Sequence, residues 1–165
     1  MQPLMGSVRR LDSARHCVLT SGVVGQGKID FDLDRWTCFY PLTWGGRQLR
    51  IASLPGVFSY GELDDGTDRL LRHFRPGNPK RVLDLGCGQG VIGAAIGADF
   101  PEARVLMTDV HAAAIASAEE TIRVNQLSNC TVTVGDLYDS TQDRYDLIVT
   151  NPPFHHAGET ERGTV

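Results

Sequence analysis

RVLDLGCGQGVIG, residues 81–93, is the stretch that decides the fold. Arg81-Val82-Leu83-Asp84-Leu85 is a short apolar run of the length and composition of a strand. Gly86, Gly88 and Gly90 then punctuate a turn, and a helix is predicted from about Val91 to Asp99. The same alternation continues downstream. Arg104-Val105-Leu106-Met107-Thr108 reads as a second strand and about Ala112 to Asn125 as a helix. Thr131-Val132-Thr133-Val134 reads as a third strand and Asp146-Leu147-Ile148-Val149 as a fourth, buried one. Strands alternating with helices predict an α/β fold built on a parallel sheet with right-handed crossovers.

Upstream the pattern is different. Residues 38–44 and 47–51 flank Gly45-Gly46 and predict a hairpin, with Pro41 confining its strand to a sheet edge. Leu54 to Gly61 reads as a loop. A helix is expected from near Asp64 or Asp65 to about Phe74, with Leu70, Leu71 and Phe74 on one face and Pro76-Gly77 beyond it. Residues 1–35 show no clear periodicity and predict no particular structure.

Composition narrows the class. The chain has 165 residues, 41% hydrophobic and 22% charged, enough for one domain with a real core. No apolar run approaches the roughly 18–20 residues of a membrane span, and the N-terminus lacks the apolar stretch of a signal peptide. The four cysteines lie far apart and none has zinc-ligand spacing, so neither a metal nor a disulfide is expected, and a cytoplasmic location is. The net charge of -4 is no signature of nucleic-acid binding, although Arg47, Arg50, Arg69, Arg72, Arg75, Lys80 and Arg81 gather locally.

The glycine turn can bring backbone close to a ligand, and a helix N-terminus follows it. Gly88-x-Gly90-x-x-Gly93 fits a dinucleotide fingerprint by letter, with Asp109 at a tolerable distance. Asp84, however, stands at the mouth of the turn, where a carboxylate beside a pyrophosphate is unfavourable. S-adenosylmethionine has no phosphate and carries an ammonium and a sulfonium, which a carboxylate favours. The turn is therefore read as a site for that methyl donor. Asp109 ends the second strand, where it can accept from both ribose hydroxyls; the competing reading is a helix N-cap. Asp136, after the third strand, can accept from the adenine amino group or simply form a turn.

The fourth strand runs into Thr150-Asn151-Pro152-Pro153-Phe154-His155-His156. Rigid prolines can hold Asn151 at the rim where the acidic residues gather, and Phe154 offers a ring on which a planar group can stack. This equipment suits methylation of an amino group whose lone pair is delocalised into a ring or carbonyl. The Asn151 side chain and the Pro152 carbonyl accept from its hydrogens and aim the lone pair at the methyl carbon. Alignment and electrostatics carry the rate, with no covalent nucleophile.

Val82 to Gly93, Asp109, Asp136 and Asn151-Pro152-Pro153-Phe154 resemble the motifs of class I S-adenosylmethionine-dependent methyltransferases of the Asn-Pro-Pro-aromatic branch. Leu54-Pro55-Gly56-Val57-Phe58-Ser59 and Leu63-Asp64-x-Gly66-Thr67-x-x-Leu70-Leu71 narrow the resemblance. With them, residues 36–160 are similar to the catalytic domain of bacterial small-subunit ribosomal RNA guanine-N2 methyltransferases. The resemblance implies a Rossmann-like, mostly parallel sheet with helices on both faces. It implies S-adenosylmethionine contacts at Thr67, Asp84, Gly86, Gly88, Gly90, Asp109, Val110, Asp136 and Asn151. It implies Asn151, Pro152 and Phe154 as catalytic residues, a base flipped out of ribosomal RNA, and acceptor contacts at Phe58, Pro153, Phe154 and His155. Phe58, Ser59 and Gly61 match a loop that closes near donor and substrate. His155 reads equally as a substrate contact or an exposed loop residue.

The same loop serves adenine-N6 and protein-glutamine methylation, and a non-catalytic donor-binding module is a third reading. Members of the family continue beyond the Asn-Pro-Pro-Phe loop with a further helix–strand unit and a terminal hairpin. The expectation is therefore a segment of unclear structure over 1–35 and a methyltransferase domain over 36–165 that lacks its C-terminal strands. Self-association through the exposed sheet edge would follow.

Overall fold

The computed structural model describes residues 5–14, 17–25, 33–136 and 144–152. They divide between two compact units, Met1–Leu33 and Asp34–Val165. In the first unit β1 (Met5–Ala14) pairs antiparallel with β2 (Cys17–Val24). The ladder shifts register between Met5 and Val8 and again between Arg10 and Asp12. Each shift resets which residues share a face, so no period of two survives to be read from the sequence.

The second unit begins with a two-stranded hairpin, β3 (Cys38–Trp44) and β4 (Arg47–Ser53), joined by Gly45-Gly46 as expected. Pro41 sits opposite Arg50 in a sheet where both strands are edges. α1 (Asp65–His73) follows, capped by Asp64, whose carboxylate accepts from the Thr67 N–H.

The chain then alternates as the glycine turn predicts: β5 (Arg81–Leu85), α2 (Val91–Asp99), β6 (Arg104–Asp109), α3 (Ala112–Asn125), β7 (Cys130–Val134) and β8 (Leu147–Thr150). The four strands are parallel in the order β7-β6-β5-β8. From β5 the chain steps outward to β6 and β7, then returns to the other side of β5. That reversal opens a crevice at the carboxyl ends of β5 and β8.

α2 is buried along its whole length from Val91 to Ala98, which is why its sequence is apolar all round rather than on one stripe. Its small residues let it lie close to the sheet: a Cβ on Gly93 would come 2.5 Å from Met107 Cε. Val82, Leu83, Val105, Met107, Ile96 and Ile51 form the centre of the core.

β8 departs from expectation. The strand starts at Leu147 rather than Asp146, and of its residues only Val149 is buried, with Ile148 45% exposed. Among the described residues it pairs with β5 alone, so one flank has no neighbour. Asp146 instead clamps the strand starts together, accepting from the backbone N–H groups of Lys80 and Arg81 at 2.9 and 2.8 Å. Those two bonds hold its carboxyl below the usual range.

α3 seals the hairpin without a third strand. Ser117 Oγ, Thr121 Oγ1 and Asn125 Oδ1 accept from the N–H groups of Leu54, Ala52 and Arg50, each at 2.9–3.0 Å. Side chains four apart on a helix line one face, and backbone groups two apart on a strand line one edge. The polar stripe on α3 therefore satisfies an otherwise open strand edge.

Among the described residues no helix is long and apolar enough to cross a membrane. No group of three or more His, Cys, Asp or Glu among them is placed to hold a metal ion.

Candidate active site

A cavity of about 600 Å³ opens where β5, β6 and β8 end, reached by Leu85, Asp109 and Thr150. The glycine turn forms its floor. Gly86 and Cys87 N–H groups donate to Thr108 O, and Gly90 N–H donates to Cys87 O, which fixes the turn against β6. Gly90 has φ +74°, and a Cβ there would stand 3.1 Å from Ala118 Cβ, so both conformation and space require glycine. As the N-cap of α2 it offers no side-chain acceptor.

Asp84 supplies that acceptor. Its Oδ2 takes the Gly93 N–H at 2.7 Å, an orphan donor in the first turn of α2. The residue is 1% exposed and is absent from the cavity wall, and its Oδ1 has no hydrogen-bond partner in the structure. The expected donor contact at Asp84 thus falls on a residue that lies behind the cavity wall rather than on it. The turn wraps over the carboxylate, which braces the cavity floor from behind. Burial, reinforced by Asp109 and opposed by the Gly93 N–H, pushes its pKa up to about 7.

Asp109 does face the cavity. Its Oδ2 accepts from Gly88 N–H and its Oδ1 from His111 N–H, both at 2.9 Å. One bond per oxygen leaves lone pairs for two further hydroxyl donors. The carboxylate thus ties the glycine turn to the end of β6 while remaining able to accept from a ribose.

Asn151 follows Thr150, the register partner of Leu85, and joins the turn on the cavity wall. Its Nδ2 donates at 2.9 Å to both Asp64 Oδ2 and Thr67 Oγ1. Both amide hydrogens are therefore used, and any further bond to a ligand must be accepted by Oδ1. The close fit also explains a glycine inside α1: a Cβ on Gly66 would lie 2.9 Å from Asp64 Oδ2 and 3.1 Å from Asn151 Oδ1.

The remaining wall is the loop Gly56–Ser59 with Glu62 and Tyr40. Phe58 is 64% exposed there. Tyr40 keeps its proton: burial, then the Asp64 and Glu62 carboxylates, drive its pKa well above the ordinary phenol range. The Cys87 thiol lines the cavity too. Burial, then Asp84 and Asp109, raise its pKa far above the usual thiol value, so it is no thiolate nucleophile.

Of the residues expected at the site, Phe58, Thr67, Gly86, Gly88, Asp109, Val110, Asn151 and Pro152 are brought together on this wall. Gly90 lies beneath it, buried, and Asp136 is exposed and outside it. Pro153, Phe154 and His155 lie outside the described residues. Asp64, Glu62, Tyr40, Gln89 and His111 line the site without having been singled out as ligand contacts. Asp64 carried a local signal as a helix N-cap, and Gln89 and His111 sit within or beside segments already read as part of the site, whereas Tyr40 reaches it from the first strand of the hairpin.

The charge balance is one-sided. Glu62, Asp64 and Asp109 contribute three carboxylates to the wall, and no lysine or arginine is among its described residues. Such a cavity disfavours a pyrophosphate and favours a cationic ligand. Val57, Leu85, Val91, Ile92 and Val110 add apolar surface for a flat ring.

Comparison with known proteins agrees with this geometry. Residues 48–165 match the model of the methyltransferase small domain. A ribosomal RNA small subunit methyltransferase C of Psychromonas ingrahamii is 38% identical over 154 residues, covering 93% of this chain and 44% of that protein. The protein of the same name from Haemophilus influenzae is 42% identical over 161 residues, covering 97% and 48%. A solved T. Thermophilus 16S rRNA N2 G1207 methyltransferase, in complex with AdoMet and guanosine, superposes with a TM-score of 0.71 at 25% identity. The match covers 94% of this chain and 43% of that one. The chain thus spans about half the length of these relatives.

Proposed function

This chain belongs to the methyltransferase small domain family, and on that premise we propose that it transfers a methyl group from S-adenosylmethionine to guanine N2 in ribosomal RNA. The observation that carries the proposal is Asn151, its amide hydrogens tied to Asp64 and Thr67, beside a glycine turn in a cavity whose described lining has three carboxylates and no lysine or arginine. The names of the relatives support the acceptor; the electrostatics support the donor.

The residues divide the work. Asp109 holds the ribose, Val110 and its apolar neighbours the adenine, and the carboxylates Asp64 and Glu62 favour the cationic end of the donor. Asp64 and Thr67 fix the Asn151 amide, so its Oδ1 and the Pro152 carbonyl accept from the two hydrogens of the guanine amino group. That draws the nitrogen toward a tetrahedral geometry and points its lone pair at the methyl carbon. The new N–C bond forms as the C–S bond breaks, sulfur leaves as a neutral thioether, and the surplus amino proton departs to solvent. Positioning in a preorganised site supplies the rate.

Calorimetric titration with S-adenosylmethionine, followed by radiolabelled methyl transfer to 16S ribosomal RNA, tests the proposal. Wild type should bind the donor and label guanine N2. Asn151→Ala should bind the donor and lose at least about a hundredfold in transfer, the scale of losing one preorganised polar contact in a transition state. Undiminished transfer by that variant would remove Asn151 from the mechanism.

A further inference from the structure

Gln89 is the second variable residue of Gly86-Cys87-Gly88-Gln89-Gly90, a position where the turn itself requires no particular side chain. Yet it is only 4% exposed and its amide is fully engaged. Both Nε2 hydrogens donate to backbone carbonyls of the opposite loop, Phe58 O and Ser59 O, each at 2.7 Å. Its Oε1 accepts from Tyr40 OH at 2.6 Å, and Tyr40 remains a neutral phenol able to donate. Its backbone carbonyl accepts from Thr121 Oγ1 at 2.9 Å, the same hydroxyl that accepts from Ala52 N–H in β4. One residue of the glycine turn is thereby tied to β3 and the acceptor-side loop through its side chain, and to α3 through its backbone.

The loop needs such a tie. Ser59 has φ +53°, a left-handed conformation unfavourable for a residue with a side chain, and Gly56 and Gly61 on either side also have positive φ. The side chain beside Ser59 is Phe58, standing exposed on the cavity wall. Whatever holds the 58–59 carbonyls also sets where that ring stands relative to the turn. Two short bonds from a rigid, buried amide do this from the donor side.

We propose that Gln89 is the positioning residue of the acceptor half of the site: it clasps the Phe58–Ser59 backbone to the glycine turn and so places the Phe58 ring against the incoming base. This rests on the reading of the site as a guanine methyltransferase. The Gln89 side chain spends its hydrogen bonds on Tyr40 and the Phe58–Ser59 backbone, while Asp109 is held by the Gly88 and His111 N–H groups, so acceptor binding and donor binding should separate when Gln89 is changed.

Three readouts on the 165-residue chain test this: the Kd of S-adenosylmethionine, the Kd of guanosine with S-adenosylhomocysteine bound, and amide hydrogen exchange at residues 57–61. Two variants are used. Gln89→Ala removes the clasp. Gln89→Glu keeps the length and the bond from Tyr40 but sets carboxylate oxygens against two carbonyls. Both should leave the S-adenosylmethionine Kd within about twofold, weaken guanosine by about tenfold or more, and speed exchange across residues 57–61. Unchanged exchange, or wild-type guanosine affinity in Gln89→Glu, overturns the clasp. Parallel weakening of both ligands overturns it as well, since Gln89 would then merely hold the turn together. The two failures remain distinct. If wild type binds S-adenosylmethionine but no guanosine, the acceptor class is wrong, and the exchange data alone uphold or overturn the clasp.

Discussion

Asp84 makes stability depend on pH in a way that one substitution isolates. The carboxyl is 1% exposed, with one oxygen unpartnered, and its pKa is pushed from 3.8 up to about 7, first by burial and then by Asp109. The sign follows from proton counting. Between those two values the folded chain holds a proton on Asp84 that the unfolded chain has released, so folding weakens as pH rises. The contribution is fully present below about pH 4 and lost by about pH 7. A shift of about three units corresponds to a loss near 4 kcal/mol across that window, or about 1.4 kcal/mol per pH unit, followed by a plateau. Asp84→Asn keeps an oxygen for the Gly93 N–H and cannot titrate. Urea denaturation of both proteins at pH 4.5, 5.5, 6.5 and 8 gives the difference in unfolding free energy. Titrating groups that do not interact with Asp84 cancel in that difference. It should move steadily in favour of the variant up to neutrality and then level off. A difference that stays flat from pH 4.5 to 8 would refute the reasoning, because the carboxyl would then titrate alike in the folded and unfolded chain.

Further changes read other parts of the structure. Thr121→Val leaves Ala52 N–H without its acceptor and Gln89 O without its donor, and should cost about 1–3 kcal/mol by urea denaturation. Gly66→Ala favours helix formation in α1 by up to about 1 kcal/mol in principle, yet its methyl group would press on Asp64 and Asn151. Methyl transfer should therefore fall at least about tenfold while the melting temperature holds within a few degrees. Asp64→Ala removes the cap of α1 and one of the two acceptors holding Asn151. A loss of about 1 kcal/mol in stability should accompany a fall in the turnover number. Restoring the cap alone with Asp64→Ser should recover the stability but not the turnover.

The parallel core was legible because each of its parts obeys local rules. The β5 turn declares itself through glycines, α2 through uninterrupted apolarity, and α3 through its length and the break that follows it. The first hairpin was not legible, since two register shifts scramble the alternation that marks a strand. β8 looked buried because Leu147, Ile148 and Val149 are all apolar, and composition cannot say how many neighbours a strand will have. At the site, Asp109 and Asn151 could be found from their place at strand ends. For Asp84 the sequence puts a carboxylate beside the turn and cannot show which side of the turn it faces. Gln89 and Tyr40 were missed for a single reason. Their partners lie far away along the chain, as with Gln89 to Phe58 and Tyr40 to Gln89, and no local pattern encodes such a meeting.

The seal between α3 and β4 is a matter of matched pitch. Four residues of helix advance about 6.0 Å, and two residues of strand about 6.6–6.8 Å. Ser117, Thr121 and Asn125 therefore keep step with Leu54, Ala52 and Arg50 for three rungs, losing less than 1 Å at each, and a much longer rack would fall out of mesh. The engagement has teeth, so the hairpin cannot creep along the helix by fractions of a residue. One residue inserted between Ser117 and Asn125 would swing the later tooth about 100° around the axis and disengage it. Because the middle tooth also grips the carbonyl of Gln89, such an insertion, some distance from the cavity, would be felt in its floor.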